Sequence, residues 1–155
     1  MNSAMKPSSL PIATRAGRLP PLQRWSAYLL FVMCGGSGLA YLLGHELDLA
    51  RTTLANHSVL VAHGVSAALM LVLAGSVLST HVRVGWRVRR NLLTGILILT
   101  ILLALAISGE MLYYGSEESR DLSLWVHWVV GVLTLALAPM HVLVGRRAGG
   151  RPVVH

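Results

Sequence analysis

The chain has 155 residues, 54% of them hydrophobic and 12% charged, whereas soluble domains carry roughly 25% charged residues. That balance excludes an ordinary water-soluble globule and leaves room for one membrane-class domain. The formal net charge of +7 argues little for nucleic acid, because the basic residues sit in short segments flanking apolar runs.

Residues 1–24 carry Pro7, Pro11, Pro20 and Pro21 among Ser and Arg. They lack an apolar period and are expected to form a mobile N-terminal tail. Four apolar runs follow, at residues 25–43, 58–80, 92–114 and 122–144. Each has about the 20 residues that cross a hydrocarbon core of about 30 Å. The first run is long for a signal peptide and no small-x-small cleavage site follows it, so it is expected to be a retained span. Trp25 and Tyr28 suit an interfacial belt. The cluster Cys34-Gly35-Gly36-Ser37-Gly38 admits close approach of either another helix or a ligand. Cys34 is the one cysteine, so neither a disulfide nor a Cys-x-x-Cys-His covalent haem motif is available. The outer loop holds His45, Glu46, Asp48 and His57, a spacing that matches no compact metal motif.

The second span has His63 near its outer end and His81 at its inner end, eighteen residues apart. Five whole helical turns separate them, so they share a face. Ala67, Met70, Ala74 and Gly75 lie between. The loop Val82–Asn91 carries Trp86 with Arg83, Arg87, Arg89 and Arg90. The third span contains Gly95 and ends in Ser108-Gly109-Glu110-Met111-Leu112-Tyr113-Tyr114. A short acidic loop, Ser116–Asp121, leads to the fourth span. There His127, Gly131, Thr134, Ala138 and His141 fall on one helical face. Residues 146–155 form a basic C-terminal tail.

Short loops predict an all-α, integral membrane four-helix bundle of up-down-up-down topology, covering residues 25–145. The basic segments all fall on one side of it and the acidic ones on the other. The positive-inside tendency then places both termini in the cytoplasm. Spans two and four run the same way, which pairs His63 with His127 outside and His81 with His141 inside.

Ionisable side chains inside a membrane default to a functional reading. Zinc wants four protein ligands, or three and a water, and each depth offers two histidines. A planar macrocycle that brings its own four nitrogens needs only two axial ligands, as haem iron does. Two b-type haems are therefore expected, with His63, His127, His81 and His141 as axial ligands of iron. Ala67 and Gly131 are expected to make room for the porphyrin. Its propionates need cations: Arg120 or Arg51 outside, and Arg83, Arg87, Arg90 or Arg146 inside. One detail strains this picture. At 1.5 Å per residue His127 and His141 are about 21 Å apart along their axis, and His63 and His81 about 27 Å. Helix tilt, a kink near Pro139 or an extended turn at His81 would absorb the excess; otherwise only one pair binds haem. His81 sits at the membrane edge, so the outer pair is the firmer expectation.

The series His63 and His81, Asn91-Leu92-Leu93-Thr94-Gly95, Ser108-Gly109-x-x-Leu112-Tyr113, His127-x-x-x-Gly131 and His141 resembles the small four-helix di-haem b-type cytochromes of bacterial membranes. The resemblance covers about residues 58 to 145. It implies bis-histidine haems in a bacterial inner membrane and electron transfer between a quinone and a redox partner. A related branch carries a ligand histidine in the first span, which this chain lacks. The resemblance leads to the expectation of a subunit that works between a periplasmic redox protein and the quinone pool, within a larger respiratory or photosynthetic complex. Glu110, His57 and Tyr113 are the outer-side candidates for a quinone site. The alternatives are a stand-alone quinone-linked oxidoreductase, reducing superoxide or ferric iron, and a haem-free structural or assembly subunit. A metal-ion channel or transporter would need a polar pathway, and the spans offer little beyond the histidines.

Overall fold

Helices that are apolar all round have no single stripe to bury, and they suit lipid as a solvent. The computed structural model describes residues 19–46, 53–87, 89 and 91–149. They form α1 (Pro21–Glu46), α2 (Thr53–Val77), a π turn (Leu78–Val82), α3 (Arg83–Arg87), α4 (Leu92–Tyr114) and α5 (Glu117–Gly149). The π turn joins α2 to α3 without a break, so the described residues make four long helices and no strand. Each of the four contains a stretch long and apolar enough to cross a membrane. Arg18 and the tail before it, Asp48, Arg51, Arg90 and Arg151 fall outside the described residues.

The apolar runs lie within the helices, and α4 coincides with its run. The other helices continue into polar sequence, because backbone hydrogen bonding does not depend on hydropathy. The acidic loop expected at Ser116–Asp121 is therefore largely helix. Glu117 and Glu118 occupy the first turn of α5, where negative charge complements the helix dipole. At the other end Arg146 and Arg147, expected in a tail, lie in the last turn and complement the opposite pole. The basic loop expected at Val82–Asn91 is likewise shorter, since the helix persists to Arg87. The chain reverses through Arg89 and Asn91, both left-handed, with φ of 48° and 54°; asparagine tolerates that conformation better than most residues.

Packing is by pairs: α1 against α2, α4 against α5, and α1 against α5. Gln23 Nε2 donates to Ser76 Oγ at 3.4 Å, and Cys34 meets His63, so contacts descend α2 as they climb α1. Thr94 meets His141 and Ser108 meets His127, the same antiparallel relation. The most buried polar side chains are Ser66, Ser108 and Ser123, at 3–4% exposure. Small hydroxyls at a contact let helix backbones approach closely. Ser66 donates to Ala62 O at 2.7 Å and Ser123 to Ser119 O at 2.8 Å, so neither is left unsatisfied. Large apolar side chains such as Val32, Val72, Leu93 and Leu103 face outward. Water would penalise that surface and lipid does not.

Candidate functional site: two facing histidine pairs

Four histidines from two helices meet in two pairs. The rings of His63 (α2) and His127 (α5) have centroids 5.9 Å apart, with their planes at 84°. Those of His81 (π turn) and His141 (α5) are 6.3 Å apart, at 87°. The depth pairing read from the sequence is thus the pairing of the rings. Two imidazole nitrogens at about 2 Å on opposite sides of one metal ion would put the nitrogens about 4 Å apart and the ring centroids about 6 Å apart. Both pairs have that separation.

The rings of His63, His127 and His141 are held at Nδ1 by a neighbouring helix. Nδ1–H of His63 donates to the Cys34 carbonyl of α1 at 2.9 Å, with Cys34 Sγ 3.7 Å away. Nδ1 of His127 is 2.9 Å from Ser108 Oγ of α4. Nδ1 of His141 is 2.9 Å from Thr94 Oγ1, also of α4. A histidine that gives Nδ1–H to an acceptor keeps its electron pair on Nε2. This is how metal-ligating histidines are usually held. Gly38 makes the first of these arrangements possible, because a Cβ there would stand 2.9 Å from His63 Cε1.

His81 reaches its partner from a π turn, in which Arg83 N–H bonds to Leu78 O, five residues back. A π turn accommodates an extra residue within a helix and is frequent at functional sites. It absorbs part of the surplus length between His63 and His81, at the place where an extended turn was expected, but as a π turn. Pro139 lies inside α5, where it leaves the Leu135 carbonyl without its usual amide partner.

Around the outer pair lies a cavity of about 350 Å³, lined from all four long helices. That is within the usual range for ligand pockets, roughly 300–1,000 Å³. Its lining includes Gly35 and Gly38 of α1, Ala67 of α2, Gly109 of α4, and Gly131 and Thr134 of α5. The Gly131 and Thr134 part of the small face read on α5 therefore borders space, as does Ala67, whereas Ala138 is not among the lining residues. Glu110 and Tyr113 also line this cavity. His57 is exposed and is not among the lining residues. Neither is Arg120, which is exposed in the first turns of α5. Among the described residues no arginine or lysine lines the cavity. Trp128 also lines it, with the His45 ring edge-on to the indole at 5.4 Å. At the inner end Arg83, Arg87 and Arg146 are exposed, and Arg146 donates to Tyr28 OH at 3.1 Å.

Among the described residues no three His, Cys, Asp or Glu side chains converge on a common point. Each histidine pair brings two imidazoles together, so a metal bound there must bring its remaining ligands with it. No family model, curated protein or solved structure matches the chain.

Proposed function

We propose that the chain is a membrane-embedded b-type cytochrome holding two haems, one between His63 and His127 and one between His81 and His141. The observation that carries this reading is the ring separation of 5.9 Å and 6.3 Å at two depths of one bundle. The cofactor fits the donor set: two imidazoles at each depth, with Nδ1 of His63, His127 and His141 engaged so that Nε2 would be free to bind iron. Bound haem supplies a one-electron couple. The residues do the rest. His63 with His127 and His81 with His141 would hold the irons, and His127 and His141 lie about 21 Å apart along α5. The apolar walls exclude water, and Gly38, Gly109 and Gly131 leave space for a flat ring. In this reading the four helices span a bacterial inner membrane in up-down-up-down order. The exposed arginines of α3 and of the end of α5 lie in the cytoplasm, and Glu117 and Glu118 outside. The chain carries electrons between a periplasmic redox protein and the quinone pool, as a module of a larger complex.

Pyridine-haemochrome and iron assays on the purified chain are expected to give two haems b per chain; a haem-free, fully folded protein sinks the proposal. The topology has its own test. In a Cys34→Ala background, Glu117→Cys is expected to react with an impermeant maleimide from the periplasm, and Arg147→Cys only after the membrane is opened. The reverse pattern inverts the orientation.

A second reading, a stand-alone quinone-linked reductase, is favoured by Glu110 and Tyr113. Both line the cavity of the outer pair and provide a proton-exchanging group beside it. Quinone reduction by the purified chain without any partner separates this reading from the first.

A further inference from the structure

His127 and His141 are fourteen residues apart on α5, and Thr94 and Ser108 are fourteen residues apart on α4. Because α4 and α5 are antiparallel, this equality puts one hydroxyl at each ring. Ser108 Oγ lies 2.9 Å from His127 Nδ1 and donates its own proton to Leu105 O at 3.3 Å. Thr94 Oγ1 repeats the motif, 2.9 Å from His141 Nδ1 and donating to Asn91 O at 3.2 Å. A hydroxyl has one proton to give. With that proton on a backbone carbonyl, the oxygen is left to accept N–H from the ring.

We propose that Ser108 and Thr94 are positioning residues: each accepts Nδ1–H of one ligand histidine, fixes Nε2 as the iron-binding nitrogen, and tunes its own site independently of the other. The inference rests on the cytochrome reading and adds the control of each site. Accepting Nδ1–H pushes electron density toward Nε2, which favours the more highly charged, oxidised iron. Removing the acceptor leaves a half-buried N–H without that partner and weakens the ligand. Changes of this kind cost about 10–100-fold in metal affinity. α2 lacks this lever at His63, because there the acceptor is the Cys34 backbone carbonyl, which no side-chain substitution removes.

The test is a potentiometric titration of the purified, haem-loaded full chain, read at the absorbance of each haem component, together with haem retention. Ser108→Ala is expected to raise the midpoint potential of the outer component alone, and Thr94→Val that of the inner component alone. Each change should loosen the affected haem about 10-fold. The hydroxyl-keeping variants Ser108→Thr and Thr94→Ser should return both values toward the parent. Complete loss of the outer haem in Ser108→Ala with retention in Ser108→Thr also supports the assignment. Loss in both variants points to packing and overturns it for Ser108. Unchanged potentials in Ser108→Ala and Thr94→Val, or equal shifts of both components in either, overturn it outright. A parent chain without haem bands defeats the cytochrome reading itself, a different result from a haem-loaded parent whose variants do not shift.

Discussion

His63→Ala and His127→Ala are expected to abolish the same haem component, while His81→Ala and His141→Ala abolish the other. The grouping follows from the rings, not from the helices. Each pair takes one imidazole from the α2–α3 rod and one from α5, at 5.9 Å and 6.3 Å. Removing either partner opens one axial position and leaves the opposing nitrogen with half of a site. Each variant is therefore expected to lose one haem of two, read as a halved pyridine-haemochrome yield and the disappearance of one spectral component. If the components lost grouped by helix, His63 with His81 and His127 with His141, the pairing would be wrong. If His81→Ala left both components in place, the inner pair would not be a haem site.

The pairing itself was legible in the sequence because hydropathy fixed four spans of similar length. Alternation of direction then put the histidines of the second and fourth at matching depths. Two further features were not. The π turn at His81 follows from no pattern in Leu78-Ser79-Thr80-His81-Val82 that hydropathy reads, since the hydrogen-bond register of a helix is set by what its side chains must reach. The hydroxyl supports were present as Thr94-Gly95 and Ser108-Gly109, motifs noted only for their family resemblance. Their physical signal is the fourteen-residue spacing shared with His127 and His141, which becomes informative once α4 is known to lie antiparallel to α5. For the cations read as propionate partners outside, Arg120 or Arg51, Arg120 is exposed and is not among the residues lining the cavity, and Arg51 lies outside the described residues.

The glycines of α1 give the sharpest prediction, because the sequence left them divided between helix packing and cofactor contact. Gly36→Ala meets nothing within 4 Å. Gly35→Ala meets Leu135 Cδ2 at 2.7 Å, the far end of a flexible side chain that can turn away. Gly38→Ala puts a methyl group 2.9 Å from Cε1 and 3.0 Å from Nδ1 of His63. That ring cannot yield cheaply. Its Nδ1–H is held by Cys34 O at 2.9 Å, and its other side faces His127. Overpacking of this kind costs about 1–3 kcal/mol, and here the strain falls on a ligand whose position must be held to a fraction of an ångström. Gly38→Ala is therefore expected to lower occupancy of the outer haem about 10-fold or more with the inner haem retained. Gly35→Ala and Gly36→Ala should keep both. Gly109→Ala, whose Cβ would lie 3.5 Å from His127 Cε1 at ordinary contact distance, should keep both as well. Haem content and component spectra of the four purified variants decide the matter. An unaltered outer component in Gly38→Ala would show that His63 has freedom to move, and that the backing by α1 does not set the site.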